Sequence, residues 1–374
     1  MGVRCLGGEV MTARIDEVLL SVLSDEIADA NGDFVVFDDP DGALLRFSLD
    51  AVRETSNGVY VASRSFSQAV SAQRVSHQEA ASNVLVAGMD NPLYLPDFFA
   101  ENFTDETRTV IALGRLPKSL AELDYIAHCL SQVKGTATFV AVGNTKHMTK
   151  SQNHVLSQHF AEVYASRGQG KFRCLIARNT EKTSAQTSTY QPAENEGRYG
   201  VGGVFCSASR DHGGTLLAET VIPYLITGGR VLDLGCGNGQ VSFDLLTAVP
   251  GIKCIATDIS ADAVVSARMT LHEHVENNMA QVIWDDAARS LDDSSVDTVV
   301  LNPPFHEGTR VDASLYEKLV KAAHRVLKPG GNLFLVHNSH LRYRGLLDKN
   351  FAIVEQLARN SKFTVLRATT ASAK

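Results

Sequence analysis

VLDLGCGNG, residues Val231–Gly239, is the stretch that decides how this chain folds. A short apolar run stops at a glycine, two more glycines follow, and QVSFDLLTA then reads as a helix. A strand that turns through glycines straight into a helix marks a βα turn of a doubly wound sheet. Such a turn sits at the carboxyl edge of the strands, where these folds place ligands. Glycine allows the tight turn and lets the backbone approach a ligand closely.

Working outward, Thr215–Ile226 reads as a helix, Arg230–Leu234 as a strand and Val241–Ala248 as a helix. Cys254–Thr257, Val282–Trp284, Thr298–Leu301 and Leu333–Val336 are further short β-rich runs, with helical patterns over Ala261–Val275 and Ser314–Leu327 between them. Lys362–Ala368 reads as a last strand. Strands that are apolar throughout, separated by amphipathic helices, indicate a parallel sheet covered on both faces.

Upstream, Asn179–Gly203 is rich in Thr, Ser, Gln, Glu and Gly and reads as a linker. The expected organisation is a domain over 1–178, a linker over 179–202 and a domain over 203–374. The first half repeats the second. Phe34–Phe47 lies against Arg230–Phe243 at an offset of 196, and Tyr60–Arg74 against Cys254–Arg268 at an offset of 194. Where the second copy has Asp233, Gly235, Gly237 and Asp258, the first has Phe37, Asp39, Asp41 and Arg64. It has lost the glycines and the carboxylate that a nucleotide-like ligand needs, so the first copy is expected to bind none. The predicted fold is therefore α/β: two tandem Rossmann-like domains, the N-terminal one degenerate.

Composition narrows the function. The chain has 374 residues, 44% of them hydrophobic and 21% charged, which is the balance of a soluble globular protein. Its net charge is -7, with -6 in the first 200 residues and -1 in the rest, so bulk charge cannot hold nucleic acid and any such contact must come from local patches. Six dispersed cysteines without a CxxC pair argue against a zinc ribbon, a thioredoxin motif or a disulfide framework, and read as buried thiols of a reducing compartment. No metal is expected. The N-terminus lacks the apolar core of a signal peptide, and no run approaches the ~18 apolar residues of a membrane span. The expectation is a cytoplasmic protein with no membrane partner.

The glycine spacing is GxGxG, and Gln240 stands where the dinucleotide fingerprint has its last glycine. Asp233 precedes the loop, and Asp258 lies 19 residues past Gly239, about where a βαβ unit delivers a carboxylate to ribose hydroxyls. Asp286, or its neighbour Asp285, ends the next strand and could accept a hydrogen bond from an adenine amino group. No basic residue waits in the loop for a pyrophosphate, so an adenosine ligand without phosphates fits better than NAD. The plainer alternative is a set of acidic strand-end caps.

A second motif, Asn302-Pro303-Pro304-Phe305, follows the strand ending at Leu301. Consecutive prolines hold the backbone extended and remove two N–H groups, leaving carbonyls exposed. An amide side chain and a carbonyl can accept both hydrogens of an exocyclic amine and so aim its lone pair at an electrophilic methyl group. Phe305 can stack on the flat base that carries the amine.

The loop and its acids, over roughly Gly203 to Ala368, resemble the class I S-adenosylmethionine-dependent methyltransferases. The resemblance implies S-adenosylmethionine as cofactor, with Asp233 and the loop of Gly235, Cys236, Gly237 and Gly239 at the methionine end, Asp258 at the ribose, Asp286 at the adenine, and Ile259, Asp285 and Asn302 as further cofactor-binding candidates. The tetrapeptide resembles the signature of amino-group N-methyltransferases. Its extension to His306, with Gly203-Val204-Phe205, Asp211, Leu116-Pro117-Lys118 and Lys362-Phe363, resembles the bacterial ribosomal RNA guanine-N2 methyltransferases over nearly the whole chain. In that family a degenerate N-terminal half precedes an active C-terminal one. His340-Leu341-Arg342-Tyr343 is nearer the large-subunit branch, which favours 23S over 16S RNA.

The resemblance implies a ribosomal RNA or subunit assembly intermediate as partner; an amine alkylated by a sulfonium can lose its proton to water, so no dedicated general base is needed. Candidate RNA contacts are His306, Arg342, Arg344 and Lys118, then Lys349, Arg115 and the group Lys146, His147 and Lys150. Lys318, Lys321, Arg325 and Lys328 lie along one helical face, either an RNA-facing stripe or a solvated one, with Leu315, Leu319, Ala323 and Val326 on another. Two other functions compete: methylation of adenine N6 or a protein glutamine, and a non-catalytic RNA-binding assembly protein, which would show an eroded loop in both copies.

Overall fold

The computed structural model describes residues 13–26, 31–89, 93–179, 189–303, 313–341 and 343–372. The chain divides into two compact units, Met1–Tyr190 and Gln191–Lys374. Among the described residues no helix is long and apolar enough to cross a membrane.

The strands of the first unit are β1 (Asp33–Val36), β2 (Val59–Val61), β3 (Val84–Val86), β4 (Thr109–Arg115), β5 (Thr136–Asn144), β6 (Glu162–Ala165) and β7 (Phe172–Asn179). Its helices are α1 (Arg14–Glu26), α2 (Ala43–Val52), α3 (Phe66–Gln78), α4 (Leu95–Asn102), α5 (Leu120–Ser131) and α6 (Lys150–Ser157). The sheet order is β3-β2-β1-β4-β5-β7-β6, with β7 antiparallel to both its neighbours.

In the second unit a two-stranded hairpin, β8 (Ala193–Asn195) and β9 (Arg198–Gly200), precedes β10 (Arg230–Leu234), β11 (Lys253–Asp258), β12 (Ala280–Trp284), β13 (Val296–Leu301), β14 (Leu327–Asn338), β15 (Ile353–Arg359) and β16 (Phe363–Thr369). The helices are α7 (His212–Val221), α8 (Gln240–Ala248), α9 (Ala261–Thr270), α10 (His272–Glu276), α11 (Ala313–Val326) and α12 (Arg344–Leu347). The sheet order β12-β11-β10-β13-β14-β16-β15 repeats that of the first unit strand for strand. The register repeats too. Val35 lies opposite Tyr60 in the first sheet, and Val231 opposite Cys254 in the second, the pairs joined by the offsets of 196 and 194. The fold is two tandem Rossmann-like domains.

The eroded positions of the first copy are occupied by internal contacts. Phe37 is buried edge-on against Phe139, Asp39 is buried and accepts a hydrogen bond from Leu45 N at 2.9 Å, and Asp41 pairs with Arg115. Arg64 pairs with Glu122 and lies over the Tyr125 ring. Arg115 is not a free cation for RNA: it donates to both oxygens of fully buried Asp16, at 3.1 and 2.8 Å.

Three other readings change. The predicted linker is only partly one, because β8 and β9 belong to the second unit and are stitched to α9: Tyr199 N donates to Thr270 Oγ1 and Val201 N to Ser266 Oγ. Hydroxyls on a buried helix face can satisfy backbone N–H groups that no sheet partner reaches. The helix predicted over Ala261–Val275 breaks at Leu271 into α9 and α10. On α11 the core-facing stripe is Tyr316, Val320, Ala323 and Val326, while Leu315 is exposed.

Candidate functional site

At the carboxyl ends of β10, β11, β12 and β13 the second unit opens a cleft of about 290 Å³. It is lined by the glycine loop, by Asp258 and Ile259, by Asp285 and Asp286, by Asn302 and Pro303, and by Phe205, Leu315 and Leu319. The sequence motifs on four separate turns thus meet in one place. Gly235 and Gly237 adopt φ of 82° and 55°, and a Cβ on either would find nothing within 4 Å, so their backbone is open to a ligand. Gly239 has a different task from the one predicted. It does not line the cleft but caps α8 at φ 84°, where a Cβ would come within 3.1 Å of Ala267.

The loop amides are tied to β11. Gly235 N and Cys236 N donate to Thr257 O at 2.8 and 3.0 Å, and Gly237 N donates to Asp258 Oδ2 at 3.0 Å. Amides used this way are not arrayed to cradle a phosphate. Asp258 also accepts from Ser260 N at 2.9 Å; burial raises its carboxyl above the usual range, opposed by these backbone N–H groups. Asp233 is 2% exposed at the cleft, and its Oδ2 accepts from Ser242 Oγ at 2.7 Å and Ser242 N at 3.2 Å. Burial pushes this acid up to about 6. Cys236 also lines the cleft, and burial pushes its thiol well above the ordinary range.

The two acids after β12 have separate environments. Asp285 is 2% exposed and accepts from Asp286 N, Ser290 N and Ser290 Oγ, so it shapes its own turn. Asp286 lines the cleft and pairs with α11, both oxygens 2.6 Å from Lys318 Nζ. On the basic stripe Lys318 pairs with Asp286, Lys321 with Glu317, Arg325 with Asp293 and Lys328 with Asp297, so each of these cations is balanced by an acid.

Asn302 follows β13 with its amide half-buried. Its Nδ2 donates to Asp211 Oδ2 at 2.7 Å, and its buried Oδ1 accepts nothing. An orphaned buried acceptor costs about 1–3 kcal/mol, which a ligand with a hydrogen to donate would recover. Pro303 is buried beside it. Pro304, Phe305, His306 and Arg342 lie outside the described residues. Arg344 opens α12 and donates to Val354 O at 2.9 Å, and Lys118 is exposed after β4 of the first unit.

Sequence reasoning left four cleft residues without a role. Asp211, the residue before α7, and Gln240, buried at the start of α8, hold each other; Phe205 is 57% exposed at the cleft, and Leu319 borders it. Gln240 carried a signal, since a polar side chain replaced the glycine of the dinucleotide fingerprint.

Residues 199–367 match the family model "Methyltransferase small domain", and residues 15–182 match "RLMG N-terminal domain". Among solved structures, a T. thermophilus 16S rRNA N2 G1207 methyltransferase in complex with AdoMet and guanosine shares the fold at a TM-score of 0.71. It has 20% identity over 96% of this chain and 92% of that one. Two curated proteins called ribosomal RNA large subunit methyltransferase G are similar in sequence. One from Pseudomonas putida is 28% identical over 94% of this chain and 91% of its own length. One from Ectopseudomonas mendocina is 31% identical over 68% of this chain and 70% of its own length. The chain belongs to the ribosomal RNA large subunit methyltransferase G family.

Proposed function

We propose that this protein transfers a methyl group from S-adenosylmethionine to the exocyclic N2 amine of a guanosine in ribosomal RNA, 23S rather than 16S. The observation that carries the reaction type is the buried, unpartnered Oδ1 of Asn302, at a strand end beside the glycine-loop cleft. A buried acceptor of this kind is complementary to an amine hydrogen. The large-subunit names of the relatives, and the N2 guanosine specificity in the name of the structural neighbour, support the choice of base and subunit.

The residues present fit the cofactor. The open backbone at Gly235 and Gly237, the acids Asp233 and Asp258, and the apolar wall of Ile259, Leu315 and Leu319 suit an adenosine with a cationic tail and no phosphates. When bound, S-adenosylmethionine supplies an electrophilic methyl on a positively charged sulfur. In this reading Asp258 binds the ribose, Asp286 faces the adenine, and Asp233 with the loop holds the methionine end. Asn302 Oδ1 and the Pro303 carbonyl accept the two amine hydrogens and turn the nitrogen lone pair toward the methyl, while Phe305 stacks on the base. This is catalysis by positioning and polarisation. An alkylated amine is acidic enough to release its proton to water, so no side chain is needed as base.

We infer further that the first unit contributes to holding RNA, through placed cations such as Lys118 and not through its overall charge. The partner is ribosomal RNA or a subunit assembly intermediate met in the cytoplasm. Calorimetric titration of the full chain with S-adenosylmethionine tests the cofactor reading. Micromolar binding that is lost in Asp258→Ala is expected, and an unchanged affinity in that variant contradicts it.

A further inference from the structure

We infer that Asp211 is a positioning residue that fixes which way round the Asn302 amide stands. The inference rests on the catalytic reading of Asn302 above. An asparagine amide has an acceptor end and a donor end of nearly the same shape, and only its partners decide which end faces a site. In Asn302 the inner partner is a carboxylate oxygen, Asp211 Oδ2, at 2.7 Å. That same oxygen accepts from the backbone N–H of Gly214 at 2.7 Å. It is an acceptor in both contacts, so the Asn302 atom against it must be Nδ2, and the end left over is the oxygen. Flipping the amide would set two acceptors against each other and turn an NH₂ toward the substrate amine, which offers only hydrogens there.

Asp211 is itself held on its backbone. Gln240 Oε1 accepts from Asp211 N at 2.7 Å, and Gln240 Nε2 donates to Asp211 O at 3.3 Å and to Thr215 Oγ1 at 3.0 Å. Gln240 N in turn donates to Asn238 Oδ1 within the glycine loop. The helix start that follows the loop therefore clamps Asp211, and Asp211 orients the amide at the end of a different strand. The residue occupying the last glycine position of a dinucleotide fingerprint thus links the glycine loop to the reaction centre.

The test compares Asp211→Asn with Asp211→Ser in the full chain, alone and combined with Asn302→Ala. Both replacements keep a good helix cap for α7. The asparagine replacement also keeps an oxygen at the reach of Oδ2, whereas the serine hydroxyl is too short. Single-turnover methylation of ribosomal RNA should fall about 30-fold in Asp211→Ser, as expected for a misplaced reacting group. It should stay within about fivefold of wild type in Asp211→Asn, with S-adenosylmethionine affinity changed less than about threefold in both. In the Asn302→Ala background Asp211→Ser should cost less than about a further twofold, because residues acting through one another are not additive. A structural role alone would make the two losses multiply, and either that result or a normal rate in Asp211→Ser overturns the inference. A second readout is independent of the reaction. The Asn302 side-chain NH₂ resonances, assigned by their loss in Asn302→Ala, should shift and lose exchange protection in Asp211→Ser; unchanged resonances also overturn it. If wild type methylates something other than guanine N2, the substrate reading fails while these resonances still decide the role of Asp211.

Discussion

Lys318 Nζ sits 2.6 Å from each carboxylate oxygen of Asp286, joining α11 to the turn after β12 across the wall of the cleft. The pair assigns unequal roles to its members. Lys318 is 48% exposed, so the ion pair itself contributes little, about 0–1 kcal/mol. Asp286 lines the cleft and is the acid assigned to the adenine in the proposed complex. Asp286→Ala is expected to weaken S-adenosylmethionine binding about tenfold, the loss of one hydrogen bond to a charged group, and Lys318→Met by less than about threefold. Equal effects in calorimetry would mean that the pair acts as a unit.

Asn302→Ala separates reaction from binding. Methyl transfer is expected to fall at least about 100-fold, the usual cost of a preorganised hydrogen-bond partner, while affinity for S-adenosylmethionine changes less than about threefold. Rapid-quench kinetics beside calorimetry checks both, and full activity in the variant removes the mechanism.

Asp233 makes stability and binding respond to pH in opposite directions. Its acid is raised from the ordinary 3.8 to about 6 by burial, with the hydrogen bonds from Ser242 working against the shift. An acid raised by folding stabilises the fold most when protonated, so its contribution is present below about pH 4 and is lost as pH rises through about 6, at most about 3 kcal/mol. Wild type should therefore melt at a relatively higher temperature at pH 5 than at pH 7 when compared with Asp233→Asn, whose profile lacks this component. Cofactor affinity should weaken over the same fall in pH, as Asp233 loses the charge that attracts a cation. Parallel profiles for wild type and variant would contradict the assignment.

Arg115 in the first unit is structural. Arg115→Ala strands the fully buried Asp16 carboxylate and should destabilise the first unit by about 3 kcal/mol, the range for breaking a buried pair from one side. Cofactor affinity should not change. Denaturant unfolding with calorimetry measures both, and unaltered stability would show that water replaces the guanidinium.

What was legible in the sequence follows from how local each signal is. The strands and helices around the glycine loop are written in short apolar runs, and the duplication is so regular that the two offsets, 196 and 194, reproduce the pairing of Val35 with Tyr60 and of Val231 with Cys254. The acids at strand ends and Asn302 were found because parallel strands deliver their carboxyl ends to one edge. β15 was missed because it is an edge strand with Ile353, Glu355 and Gln356 exposed, so it carries no apolar run. The partners of the basic helix face were missed because Asp286, Asp293 and Asp297 lie 32, 32 and 31 residues away in the chain. The contact between Asp211 and Asn302 spans 91 residues, and no local pattern encodes it.

The most direct measurement is to supply the purified full chain with radiolabelled S-adenosylmethionine and either large-subunit or small-subunit ribosomal RNA lacking the modification, then digest the RNA to nucleosides and identify the labelled one. N2-methylguanosine is expected from large-subunit RNA with the wild-type chain, and none with Asn302→Ala. Label in N6-methyladenosine, label in protein glutamine when ribosomal proteins are present, or no transfer to either RNA would contradict it.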